Sequence, residues 1–177
     1  MPYQHDTGEV FGTFYTITYQ SDKNLKSEIE AALKNVDDEF SMYNKNSTVS
    51  KITRGEKPVL SEMFMEVYNL AQTVNKESEG AFDITVAPLV NAWGFGFKTR
   101  QMPDKHKVDS ILAFVGNDKF KVVNEGKQLV PKKTDARTML DFSAIAKGYG
   151  SDVVADLMKR HGIKNYMIEI GGEIVAS

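Results

Sequence analysis

The apolar positions change period several times along the chain, and each change marks an element. Residues 10–19 alternate and are rich in aromatic and β-branched side chains, which predicts a single strand. Leu25, Ile29, Leu33, Val36 and Phe40 then recur at spacings of three and four, the stripe of an amphipathic helix. Residues 41–48 interrupt that stripe as a polar loop carrying one aromatic, Tyr43. Ser61 predicts the N-cap of a second helix, with Phe64, Val67, Tyr68, Ala71 and Val74 on its apolar face and Gly80 at its end. Residues 81–97 form a glycine- and aromatic-rich segment.

Residues 108–115 predict a short helix ending near Gly116. Residues 120–123 and 128–130 flank Asn124, Glu125, Gly126 and Lys127, a hairpin with glycine in its turn. Residues 139–142 predict a short strand. A helix is expected to begin near Ile145 or Ala146, to carry Val153, Val154 and Leu157 inward, and to end with Gly162 at C′. Residues 164–170 are the last clear strand. With no element expected after it, that strand would leave an edge or an unfinished sheet. The chain shows no internal repeat, low-complexity tract or Pro/Ser-rich linker, so one α+β domain over residues 1–177 is expected.

Composition narrows the chemistry. A chain of 177 residues with 41% hydrophobic and 26% charged residues is ordinary globular material, able to bury ~70% of its unfolded surface. A formal charge of −2 gives no electrostatic reason to expect nucleic acid. The local lysines, Lys132 with Lys133 and Lys105 with Lys107, read as solvated loops. Cysteine is absent, which excludes disulfides, thiolate metal sites and cysteine nucleophiles. The first six residues lack the basic and apolar runs of a signal peptide, and no apolar run is long enough to span a membrane, so compartment stays open.

Two places carry candidate chemistry. From Asp141 to Asp152 the chain turns through small residues into a helix, which aims backbone N–H groups and the helix dipole at one point. Lys147, expected in the first helical turn, would add a point charge to a phosphate. The dipole disfavours lysine there, and an anionic ligand would supply the reason for it. Asp141 would accept hydrogen bonds from a ligand or orient Lys147. The plain alternative is an Asp near a helix start and an exposed Lys, both commonplace. The second place is Gly171, Gly172 and Glu173, where paired glycines allow close backbone approach beside a carboxylate; a turn with a solvent-exposed Glu is the alternative. No P-loop or dinucleotide fingerprint occurs, and Gly94-Phe95-Gly96 is too short a match to count. Trp93 is expected in the core. His5, His106 and His161 have no partners spaced for a metal or a nucleophile relay.

Several motifs occur in order: Gly12-Thr13; Ser41-Met42-Tyr43; residues 81–90 followed by Trp93-Gly94-Phe95; residues 141–149 with Asp152; and Glu169-Ile170-Gly171-Gly172-Glu173. From about Val10 to Glu173 this succession resembles the ApbE family, the FAD:protein FMN transferases once described as thiamine-biosynthesis lipoproteins. The resemblance implies a mixed, largely antiparallel sheet with packed helices. It also implies an enzyme that binds FAD and, with Mg²⁺, transfers FMN to a threonine or serine hydroxyl of a partner protein, releasing AMP. Carried over by match, Tyr43, Ala81, Phe82, Asp83, Asp141 and Lys147 would contact FAD. The position before Gly12 is usually Met in the family; here Phe11 keeps an apolar surface of another shape. Ala144 would give its backbone carbonyl to the metal. Family members are considerably longer, and the chain is expected to be an N-terminal portion, with further metal ligands and any catalytic base in a C-terminal portion outside it. By itself it is expected to bind Mg²⁺ weakly and to transfer no FMN. The acceptors implied are flavoprotein subunits such as those of membrane ion-pumping reductases, reached outside the cytoplasm by a periplasmic or lipid-anchored enzyme. A non-catalytic flavin-binding module and an FAD pyrophosphatase giving FMN and AMP are the competing readings.

Overall fold

The computed structural model describes residues 1–95 and 102–177. Positions 96 and 97 of the glycine- and aromatic-rich segment, and with them the end of Gly94-Phe95-Gly96, lie outside the described residues. The elements in chain order are β1 (Tyr3–Val10), β2 (Thr13–Gln20), α1 (Lys26–Phe40), α2 (Thr48–Thr53), α3 (Glu62–Glu77), α4 (Ala87–Ala92) and α5 (Lys105–Leu112). They continue with β3 (Phe120–Glu125), β4 (Gln128–Lys133), α6 (Ser143–Arg160), β5 (Tyr166–Ile170) and β6 (Glu173–Ala176). The architecture is α+β, and every strand pairing described is antiparallel. The chain divides into two compact units, Met1–Asn44 with Ser143–Ser177, and Lys45–Phe142.

The first unit holds a four-stranded sheet in the order β1-β2-β5-β6. Alternation along β2 turns Tyr15, Ile17 and Tyr19 inward and leaves Phe14 and Thr16 outward, the period-two pattern of a sheet with one covered face. Helices α1 and α6 supply the cover. Ile29 and Leu33 from α1, with Val154, Ala155 and Met158 from α6, pack on Ile168 and Ile170 of β5. The Tyr19 hydroxyl ties these layers together: it donates to Asp6 Oδ2 at 2.8 Å and accepts the Leu25 N–H at 2.7 Å, just before α1 begins.

The second unit is built from helices α2 to α5 and the β3–β4 hairpin. Ser47, Ser61 and Asp104 cap α2, α3 and α5 by accepting N–H groups three residues on. Phe64 and Tyr68 of α3 stack, and their rings meet Phe142 and Phe120 edge-on, each at 5.7 Å between centroids.

Several expectations are corrected. Residues 10–19 are not one strand. The chain reverses at Phe11 and Gly12, so this stretch holds the end of β1, a turn and most of β2. The reversal was hidden because the turn lacks an Asn-Gly or Asp-Gly signature, and β1 buries only Asp6. Residues 139–142 are not a strand. Leu140 N–H goes to Thr53 Oγ1 and Asp141 N–H to Ile84 O, which are isolated anchors and not a ladder. Helix α6 starts at Ser143, earlier than expected, and α5 runs from Lys105 and not from residue 108. The expected last strand starts at Tyr166 rather than 164 and is followed by β6. Trp93 is not core: it is 40% exposed at the end of α4. Lys132 and Lys133 belong to β4, and Lys105 opens α5, where it pairs with Asp109.

Candidate functional site

Two-residue turns at one end of the first unit place most of its candidate residues. The β1–β2 turn needs positive φ at both positions, and Phe11 (φ 54°) and Gly12 (φ 72°) supply it. A left-handed Phe is costly, so its ring must gain elsewhere. That ring lies against α6 at Gly150, where a Cβ would sit 2.9 Å from Phe11 Cε2. Gly12 faces Tyr43: a Cβ there would be 3.4 Å from the tyrosine ring. Tyr43 follows α1 in a loop whose Tyr43 and Asn44 N–H groups both reach Ser41 Oγ, and its side chain is 62% exposed.

The second turn, between β5 and β6, uses Gly171 (φ 55°) and Gly172 (φ 94°). At Gly171 a Cβ would meet Thr13 Cγ2 at 2.8 Å and Lys147 Cδ at 3.0 Å, so space as well as φ demands glycine. Lys147 Nζ donates to Gly171 O at 3.4 Å and lies 3.6 Å from Glu173 Oε1. The two suggestive stretches of sequence, around Lys147 and at Gly171 to Glu173, therefore meet. Both contacts of the ammonium are long, and Glu173 is half-exposed, so the pair is weak and the lysine is held without being consumed. With α6 starting at Ser143, Lys147 falls in the second turn and not in the first. The dipole penalty that would have called for an anion is accordingly small there. Thr13 is the partner that sequence reading passed over; its place beside Gly12 was noted, but not its contact across the sheet.

In the second unit, Ala81, Phe82 and Asp83 form the bend after α3. Phe82 is fixed through its backbone, donating to Ser78 Oγ and accepting from Asn75 Nδ2. Asp83 Oδ1 accepts both the N–H (2.8 Å) and the O–H (2.7 Å) of buried Thr85, whose oxygen in turn accepts Gly116 N–H at 2.7 Å. One carboxylate oxygen of Asp83 is thus committed to structure. Asp141 is buried two residues before α6, with its N–H on Ile84 O at 2.7 Å.

A groove of about 380 Å³ beside β1 and α1 is lined by Glu9, Glu30, Asp37 and Asp38 against one cation, Lys34, a net acidic setting that disfavours a pyrophosphate. A magnesium ion asks for about six oxygens in octahedral array. Ala144, in the first turn of α6, commits its carbonyl to the helical N–H of residue 148 and keeps one lone pair. Among the described residues no three His, Asp or Glu side chains converge as a metal cage. The described residues do not by themselves supply the oxygen set of a magnesium ion.

Known proteins share this sequence pattern and fold. The sequence model of the ApbE family matches residues 11–177. FAD:protein FMN transferases of Vibrio cholerae and Haemophilus influenzae are 39% and 37% identical to the chain over 96% of its length. The chain spans about half the length of these curated relatives, 53% of each. Among solved structures, the flavin transferase ApbE from Vibrio cholerae superposes with a TM-score of 0.88 at 36% identity, over 99% of this chain and 59% of that one. The apo flavinyl transferase ApbE of Pseudomonas stutzeri gives 0.85 at 30% identity, over 99% and 58%. A family match that begins at the strained Phe11 turn and runs through α6 to the Gly171 hairpin covers the elements just described, and this chain belongs to the ApbE family.

Proposed function

We propose that these residues are the N-terminal, flavin-binding portion of an enzyme that transfers FMN from FAD to a threonine or serine hydroxyl of a partner flavoprotein. In that reaction the hydroxyl oxygen attacks the FMN-side phosphorus. The phosphorus–oxygen bond to the AMP phosphate breaks, AMP leaves with the bridging oxygen, and the hydroxyl proton passes to a base. Any magnesium that the transfer uses would need ligands beyond these residues, to which Ala144 would add one backbone carbonyl. The chain's own contribution is binding and orientation. Lys147 is held loosely on Gly171 O and Glu173, so a pyrophosphate oxygen can replace either contact without a large loss. Tyr43 offers an exposed ring beside the Phe11–Gly12 turn, suited to an aromatic ligand. Asp83 keeps one carboxylate oxygen beyond its bonds to Thr85. The names of the relatives support FAD as substrate, and a flavoprotein acceptor, such as a subunit of a membrane ion-pumping reductase met outside the cytoplasm, follows from the same reading.

The observation that carries the proposal is the meeting of Lys147, Thr13 and the Gly171 carbonyl at one turn. The test is titration of the chain with FAD, followed by incubation with FAD, Mg²⁺ and an acceptor flavoprotein and in-gel flavin fluorescence. Saturable FAD binding that weakens in Lys147→Ala is expected, with no labelled acceptor from the 177 residues alone. Absence of FAD binding would sink the proposal. A fluorescent acceptor band would show that these residues need nothing further, and release of FMN and AMP without labelling would identify a pyrophosphatase.

A further inference from the structure

Lys133 sits at the end of β4, and its side chain turns away from solvent to gather three backbone carbonyls: Thr53 O at 2.7 Å, and Ala136 O and Thr138 O at 2.9 Å each. An ammonium has three N–H donors and no acceptor, so this set uses its full capacity. Burial pushes the Lys133 ammonium below its ordinary pKa, against the pull of Asp135. A surface lysine would not accept that desolvation; one that anchors backbone would. The carbonyls it collects belong to α2 and to residues 134–142, a stretch with no ladder of its own. Its other anchors are equally isolated: Thr138 Oγ1 on Phe114 O, Leu140 N–H on Thr53 Oγ1, and Asp141 N–H on Ile84 O. Thr53 is shared, for its carbonyl takes Lys133 and its hydroxyl takes Leu140.

We infer that Lys133 is a positioning residue for Asp141. Its three bonds fix residues 136–138 against α2, and this sets the path of residues 139–141 and the direction in which the Asp141 carboxylate leaves the backbone. The inference rests on the reading of Asp141 as a flavin-nucleotide contact. Without the ammonium, three carbonyls lose their donor at once, and the stretch loses the anchor that most shortens its freedom.

The test uses Lys133→Met in the full chain, which keeps an unbranched apolar stem. Hydrogen exchange across residues 134–142 is measured beside the β3–β4 hairpin as internal control, and FAD affinity is measured alone and combined with Asp141→Ala. Expected are faster exchange at the Asp141 amide with the hairpin unchanged, and FAD binding weakened roughly tenfold. Asp141→Ala should then add little further loss in the Lys133→Met background, a non-additivity that a general stability effect does not produce. Lys133→Arg, which keeps a charged multiple donor, should recover part of the affinity. Unchanged exchange at residues 139–142, or full additivity with Asp141→Ala, overturns the inference. Faster exchange with FAD affinity unchanged in both single variants overturns the reading of Asp141 as a flavin contact, and with it the functional part of the inference. If Lys133→Met does not fold, Lys133→Gln, with two N–H donors remaining, carries the same readouts.

Discussion

The Phe11–Gly12 and Gly171–Gly172 turns answer the same backbone demand with different residues. Both join antiparallel strands through two positions of positive φ. The second uses two glycines, the inexpensive solution; the first places a phenylalanine where side chains cost about 1–3 kcal/mol. The difference lies in what surrounds each turn. At Gly171, Thr13 and Lys147 already fill the space a side chain would take. At Phe11 the neighbouring α6 has been cut back at Gly150 to admit a ring. One turn is shaped by its neighbours, and at the other the neighbour is shaped by the turn.

Substitutions can break this contrast. The largest expected effect is Gly171→Ala, which combines left-handed strain with a collision against Thr13 and Lys147. Urea unfolding should show a loss of about 2–4 kcal/mol, and FAD binding should fall as Lys147 is displaced. Gly172→Ala, with open space around it, should show the strain alone and leave FAD binding nearly intact. A Gly172 effect as large as that at Gly171 would refute the crowding account.

The next effect is one of sign. Gly150→Ala should destabilise the chain by about 1 kcal/mol, because the new methyl meets the Phe11 ring despite the better helix propensity of alanine. In a Phe11→Gly background the same change should stabilise by a similar amount. Equal effects in both backgrounds would mean that the ring does not press on α6.

The smallest contrast is silent at neutral pH. Burial pushes the Tyr19 hydroxyl up to about 12, and its bond to Asp6 acts in the same direction. A phenol whose folded pKa is raised keeps its full contribution below the unfolded value near 10. That contribution is lost as pH climbs from there through about 12. Stability followed by urea titration across this window should fall more steeply for the parent than for Tyr19→Phe, and parallel curves would argue that Tyr19 ionises freely.

Much of the fold was legible because burial left a periodic trace. The α1 stripe from Leu25 to Phe40 and the Ser61 cap of α3 are both present as expected, since one buried face and one satisfied N–H are recorded in neighbouring residues. What stayed hidden depends on distant partners. Phe11 in a left-handed conformation makes sense only once Gly150, far along the chain, lies beneath it. Residues 139–142 look like a strand because Leu140 and Phe142 are buried, yet their backbone is satisfied by scattered anchors. Lys133 looked like a solvated charge, because nothing local announces three carbonyls converging on an ammonium. Within the candidate site, Lys147 and Gly171 were each visible, but their meeting and the part Thr13 plays in it were not.

The crowding at Gly171 also bears on how such a chain can change over generations. Thr13, Lys147 and Gly171 occupy one small volume from three distant stretches of sequence, so no one of them drifts alone. A side chain at position 171 would need position 13 to shrink and the lysine stem to move, and would still carry the strain of its positive φ. Whatever function requires that lysine therefore also holds a threonine and a glycine still, and among homologues these three positions should vary as a set.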